Sequence, residues 1–235
     1  MNGIYDNYLE NSTVGVQESV WKIKQLKVNY SKFFPADKEA AILDIGVGNG
    51  EMLHLLKDSG YINAEGADIS KSAVNACVAR GYRCTLTENT VDFLRSHPGK
   101  FAMISMFHVI EHISKDDIIP VITACYEALT DDGVLILETP NMASHDAVYM
   151  RYVDFTHVTG YTEPSLRQML MICGFRKMTI FGTDIFINRT LSNLLLRILN
   201  KIYSFVFRLK RRLFGLRTAA VTELFLSAVA YRKDR

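Results

Sequence analysis

The residues best suited to chemistry are acids, glycines and histidines that close short apolar runs. Ile42-Leu43-Asp44-Ile45 has the pattern of a buried strand, and Gly46, Gly48 and Gly50 follow it at alternate positions before a helix-like stretch. Glycines lack a Cβ, so the backbone can turn sharply and approach a ligand, and the next helix would aim its unbonded N–H groups there. Position 51 is Glu, which makes the spacing G-x-G-x-G rather than the G-x-G-x-x-G of dinucleotide sites and argues against NAD. Asp44 would repel a pyrophosphate but attract a cationic or amine-bearing ligand. Asp68 closes the next apolar run, in Gly66-Ala67-Asp68-Ile69-Ser70, where a carboxylate suits the two hydroxyls of a ribose.

A second group is His108-Val109-Ile110-Glu111-His112, directly after the apolar run Phe101–Phe107. It fits the H-x-x-E-H pattern of some zinc peptidases, but that chemistry needs both histidines on one helical face, and here the motif follows a strand. Joined by His157, these side chains could instead hold one divalent ion beside an acceptor hydroxyl, or simply pack and hydrogen-bond at the strand end. A third group lies in the long polar-aromatic stretch from Thr139 to Thr162, with Asp154 and His157 among Tyr149, Tyr152, Phe155 and Tyr161. Its aromatic faces, Asp, Arg and His suit a hydroxylated acceptor such as a sugar. A loop-pinning hydrogen bond is the structural alternative for Asp154 and His157.

The elements that must position these groups alternate. Ala41–Ile45, Ala64–Ile69, Tyr82–Leu86, Phe101–Phe107 and Gly133–Thr139 read as buried strands. Glu51–Ser59, Lys71–Arg80, Val91–Ser96 and Lys115–Leu129 read as helices, with Ser70 and Ser114 as N-caps. Such alternation predicts a parallel α/β sheet covered by helices on both faces, with ligands at the carboxyl ends of its strands. Flanking this core, Val16–Phe34, Pro164–Cys173 and Leu191–Phe214 read as helices, and Phe175–Phe181 and Val221–Tyr231 as strands.

The residues quoted resemble the class I S-adenosylmethionine-dependent methyltransferases. Asp44-x-Gly46-x-Gly48-x-Gly50 looks like their first motif and Asp68 like their ribose-binding acid. Ile69, Glu88-Asn89-Thr90 and Phe107 stand where such enzymes enclose the cofactor, although Asn89 replaces the usual Asp. Leu129–Leu137 resembles the turn into their fifth strand, with Asp132 in place of a glycine. The resemblance spans about 41–181. It implies a Rossmann-like fold with a mostly parallel seven-stranded sheet, S-adenosylmethionine as cofactor, and no obligatory metal. The stretch from Asp154 to Phe175 is further similar to methyltransferases of bacterial surface-polysaccharide biosynthesis, and more weakly to quinone O-methyltransferases.

Methyl transfer to a hydroxyl requires a base within reach, and His108 or His157 is expected to serve, with Asp154 orienting His157 and with Glu111 and His112 alongside. The expected arrangement is one domain over residues 1–235: a helical extension to 38 with Tyr5, Asp6 and Tyr8 as a lid, a core over 39–183, a basic helix over 184–218 and a last strand. A cofactor-binding subunit without activity is the alternative from another class.

Composition bounds the rest. With 49% hydrophobic and 22% charged residues the chain has a globular composition, and its apolar runs are too short to span a bilayer. The start at Met1 has neither a basic nor an apolar run, and no C-x-x-C occurs, which together suggest a cytoplasmic protein with reduced thiols. Residues 189–217 hold eight basic side chains and no acid; without those eight of the 27 basic residues, the remainder carries −6 against its 25 acids. An amphipathic basic helix in an acidic body suits an anionic membrane surface or a solvated cap, and a lipid-linked glycan acceptor would give membrane attachment a use. Nucleic acid is disfavoured because no basic groove with stacked aromatics is present.

Overall fold

The computed structural model describes residues 16–188, 190–216 and 219–233. The lid expected from Tyr5, Asp6 and Tyr8, and the basic residues Arg189 and Arg217, lie outside them. In chain order the elements are α1 (Val16–Tyr30), β1 (Ile42–Ile45), α2 (Glu51–Asp58), β2 (Ala64–Asp68), α3 (Lys71–Ala79), β3 (Cys84–Leu86), α4 (Thr90–Arg95) and β4 (Phe101–Phe107). After a 3-10 turn over Ile110–His112 come α5 (Lys115–Ala128), β5 (Leu129–Pro140), α6 (Ala147–Tyr152), α7 (Glu163–Ile172), β6 (Lys177–Gly182), α8 (Leu191–Leu213) and β7 (Phe225–Tyr231).

The strands form one seven-stranded sheet in the order β3-β2-β1-β4-β5-β7-β6, parallel except for β7, which runs antiparallel to both β5 and β6. The interior strands β1, β4 and β5 are almost wholly buried, as their uninterrupted apolar runs require of a sheet with helices on both faces. One core packs Leu43, Ile104, Leu135 and Ala228 against Ile122 of α5 and Leu166 and Leu170 of α7. The other packs Ile42, Met103 and Ile136 against Leu26 and Tyr30 of α1 and Leu55 of α2. Strand order reverses between β1 and β4, so their carboxyl ends diverge there and open a crevice.

Several boundaries differ from the sequence reading for physical reasons. The N-terminal helix stops at Tyr30 and tightens into a 3-10 turn over Ser31–Phe33. Strand β5 begins at Leu129, because its first residue pairs with Phe101 across a register irregularity before Val134 resumes the regular ladder on Met103. β3 is restricted to three residues at the sheet edge, and β7 starts only at Phe225. The short α6 lies within the stretch read as an open connection.

Tyr30 fixes α1 to the sheet. Its hydroxyl donates to Glu138 at the end of β5 and lies 2.7 Å from Ser227 Oγ of β7 and 3.2 Å from Thr183 Oγ1. Its ring meets Phe107 edge-on at 4.9 Å. Tyr30→Phe keeps the ring but leaves a buried carboxylate short of one donor, which costs about 1–3 kcal/mol. Urea denaturation of the variant is expected to show that loss, and an unchanged midpoint would mean the hydroxyl network contributes nothing.

Candidate active site

The glycine loop turns where β1 ends. Gly46, Gly48 and Gly50 all have positive φ, at +75°, +51° and +78°. A Cβ on Gly46 would collide with Val109 Cγ2, whereas Gly48 faces open space. Gly50 caps α2 and packs toward Cys77 and Tyr82, so it shapes the loop from behind. Beside the loop runs a cleft of about 350 Å³, bordered by Asp44, Gly46, Gly48, Asp68, Ile69, Thr90, Phe107, His108 and His112. Lys22 and Leu26 of α1 and Glu51 and Met52 of α2 complete its walls, which the sequence reading did not name.

Three acids converge on this cleft. Asp68 is held by the Ser70 N–H at 2.8 Å to Oδ1 and the Gly48 N–H at 3.4 Å to Oδ2, and burial raises its pKa. Asp44 is buried at the floor and accepts a 2.7 Å hydrogen bond from Ser105. Burial pushes its pKa up to about 7 against the opposing pull of Ser105 and Lys22, and Asp68 and Glu51 add to the rise. Glu51, in the first turn of α2, is buried and accepts from Ser19 at 2.9 Å. Buried carboxylates with so little basic compensation favour a cationic occupant.

Asn89 does not border the cleft as expected. Its side-chain oxygen caps α4 by accepting from the N–H groups of Val91 and Asp92, and its amide nitrogen donates to Asp92 at 2.6 Å. Thr90 reaches the cleft wall instead.

His108 departs most from expectation. It has a φ of +56°, the sole positive value outside glycine among the described residues. Its Nε2 lies 3.0 Å from Glu138 Oε1 and its Nδ1 3.3 Å from Glu111 Oε1. Burial disfavours the charged ring, yet those two carboxylates outweigh it and raise the pKa to about 9. An imidazolium with both nitrogens engaged cannot accept a proton near neutral pH, which removes His108 as the base. The residue that explains this, Glu138, is thirty positions away and was not singled out from the sequence.

His112 and His157 do come together, with ring centroids 4.8 Å apart. His112 Nδ1 lies 2.8 Å from Thr156 Oγ1, whose hydroxyl donates to Asp154 at 2.6 Å. Asp154 is therefore connected to His112 through Thr156, while His157 Nδ1 donates to the Met150 carbonyl at 2.9 Å. Burial lowers the pKa of His112. Glu111 is buried below the pair and accepts from Thr139 at 3.0 Å. The chain over 149–155 carries Tyr149, Tyr152 and Phe155 with 64%, 75% and 95% exposure, an aromatic shelf in the segment that supplies His157.

A switch-point crevice, a glycine loop that a side chain would obstruct, an acid on the loop N–H groups and a cation-seeking floor together fit S-adenosylmethionine. They define a Rossmann-like methyltransferase that uses this cofactor. The family described as methyltransferase domain matches residues 21–180, and the chain belongs to it. No curated protein sequence matches the chain. Among solved structures, it is similar to a SAM-dependent methyltransferase from Archaeoglobus fulgidus, with a TM-score of 0.69 at 20% identity, covering 97% of this chain and 98% of that one. It is also similar to a phosphoethanolamine N-methyltransferase from Haemonchus contortus solved with S-adenosyl-L-methionine, with a TM-score of 0.64 at 14% identity, over 98% of this chain and 60% of that one.

Asp44 gives a stability signature. Its folded pKa of about 7 exceeds the unfolded value of about 4, so the native state holds a proton that the unfolded chain has released. Its contribution is full below about pH 4 and is lost as pH rises to about 7. Urea denaturation between about pH 5 and about pH 7 should show wild type losing about 1–3 kcal/mol relative to Asp44→Asn. Parallel pH profiles would contradict a raised Asp44.

Proposed function

We propose that the chain is an O-methyltransferase that methylates a saccharide hydroxyl of a lipid-linked glycan in surface-polysaccharide assembly, working against an anionic membrane. When bound, S-adenosylmethionine supplies an electrophilic methyl group on a positively charged sulfur. In this reading Asp68 accepts the ribose hydroxyls, Asp44 and Glu51 face the cationic end, and Ile69, Thr90 and Phe107 enclose the base. His112 and His157 stand where the acceptor must surrender its hydroxyl proton, and Tyr149, Tyr152 and Phe155 offer flat apolar faces to a sugar ring.

The observation that carries the membrane-linked acceptor is the orientation of α8. An amphipathic helix on a globular body normally buries its apolar stripe. Here the polar stripe faces the body: Asn193 donates to the Asn188 carbonyl at 3.0 Å, and Arg197 bonds to the Phe186 carbonyl at 3.1 Å and to Asp184. The opposite side, with Leu195, Ile198, Leu199, Ile202, Phe205 and Val206, is about half or more exposed, and no residue of the helix is buried. At 100° per residue, exposed Lys201 and Arg212 fall at one edge of this apolar arc and exposed Lys210 at the other. Apolar side chains between flanking cations match a bilayer interface with anionic headgroups, and a purely solvated cap would not present them outward. No helix among the described residues is long and apolar enough to cross a membrane.

Three experiments test this reading. Methyl-labelled cofactor supplied to the protein with a cell extract should label carbohydrate or lipid-linked glycan, and Asp68→Ala should abolish the label. Label confined to free organic-soluble small molecules would replace the saccharide with a quinone-type acceptor, and no label in any fraction would favour a non-catalytic subunit. His157→Ala should lower turnover by about 10²–10⁴ while cofactor still binds. Separately, the protein should pellet with anionic phospholipid vesicles at low salt, and Ile198→Glu with Ile202→Glu should remove it from the pellet. Equal recovery of the variant would end the membrane assignment.

A further inference from the structure

We propose that Lys22 determines specificity at the amino-acid end of the cofactor: its ammonium pairs with the α-carboxylate of S-adenosylmethionine, so that the cleft selects this cofactor over its decarboxylated form. Of the described residues that border the cleft, Lys22 alone is a lysine or arginine. The same border holds three carboxylates, Asp44, Glu51 and Asp68.

Charge matching gives each group of the ligand its place. The methionine portion of the cofactor carries a sulfonium, a primary ammonium and a carboxylate. Acids suit the first two, but a carboxylate is repelled by every acidic wall of the cleft. The N-terminus of α2 gives it no relief, because Glu51 in the first turn already faces the positive end of that helix. His108 gives none either, since its ring nitrogens pair with Glu111 and Glu138. Burial lowers the pKa of His112, which keeps that ring uncharged near neutral pH. Among the bordering side chains the remaining cation is Lys22.

Local structure aims that cation. Ser19, Lys22, Leu26 and Tyr30 recur at spacings of three and four, so they share one face of α1. Leu26 and Tyr30 are buried in the core, and the Tyr30 hydroxyl pins the face to Glu138. Lys22 stands about 12 Å further toward the helix start, where the face reaches the cleft. One turn before it, Ser19 donates to Glu51 at 2.9 Å. Lys22 also acts on Asp44, where its charge opposes the effect of burial. Both acids draw hydrogen bonds from serines, Glu51 from Ser19 and Asp44 from Ser105. One end of the cleft thus holds acids for an ammonium and, beside them, a half-buried lysine for a carboxylate.

The inference builds on the reading that the cofactor's amine lies against Asp44 and Glu51, and it is independent of the acceptor. Calorimetric titration with S-adenosylmethionine and with its decarboxylated form tests it, because the second ligand keeps the sulfonium, the amine and the ribose. Lys22→Met retains an unbranched apolar stem and removes the charge. The preference for the carboxylated ligand should fall by about 10- to 100-fold in this variant, as expected for a lost hydrogen bond between charged groups. Lys22→Arg should keep most of the preference. Equal preference in wild type and Lys22→Met overturns the pairing, and so does equal weakening of both ligands. A wild type that binds the decarboxylated form as tightly as S-adenosylmethionine overturns it whatever the variants do. Asp44→Asn should weaken both ligands alike; if it weakens neither, the placement of the amine falls, while the Lys22→Met preference still decides the carboxylate.

Discussion

Glu138 is the carboxylate on which the rest of this structure depends. It is buried at the end of a central strand, where a bare charge would cost several kcal/mol, so the surrounding chain must supply donors. Tyr30 comes from α1, Thr183 from the segment after β6 and His108 from the turn after β4. Burial pulls the Glu138 pKa up, but the His108 contact and the two hydroxyls reverse this and hold the carboxylate ionised. One charge thereby ties the N-terminal helix, the antiparallel end of the sheet and the cleft rim to a single point. Removing any one partner would leave the others around an under-compensated charge, which is costlier than replacing the whole group with apolar side chains.

That arrangement also separates the histidines by role. His108 is a fixed cation between Glu111 and Glu138, and it holds a left-handed backbone conformation that ordinary side chains avoid. The turn it makes redirects the chain after β4, so that the 3-10 turn brings Glu111 under the cleft and His112 to its wall. His112 and His157 are instead oriented by neutral acceptors, a threonine hydroxyl and a carbonyl. Three histidines that look equivalent in the sequence thus differ because their second-partner groups differ.

The fold was legible where burial dictates residue type. Interior strands covered on both faces must be apolar throughout, so β1, β4 and β5 were visible as runs, and the glycine loop was visible because φ there is positive. Edge strand β3 was overextended because Tyr82 and Arg83 look strand-like locally, while only Cys84 onward finds a ladder partner in β2. The cleft was largely legible, since Asp44 and Asp68 lie in the last residues of β1 and β2 and Gly46 and Gly48 follow β1 at once. The histidine assignments were not, because protonation depends on Glu138, Thr156 and Met150, whose approach to the rings is set by tertiary structure. The direction in which α8 turns was equally invisible: periodicity shows that a helix has two faces, not which of them meets the body.

Strand β7 follows every other strand in chain order yet sits between β5 and β6 rather than at an edge. It also brings Ser227 to the Tyr30–Glu138–Thr183 group. During synthesis, therefore, the sheet keeps an open slot beside β5 until α8 has already left the ribosome. The outward-facing helix is available to a surface before the catalytic half is sealed. Assembly of this protein is in that sense ordered backwards: the element that would meet the outside world is made first, and the strand that locks the interior arrives after it.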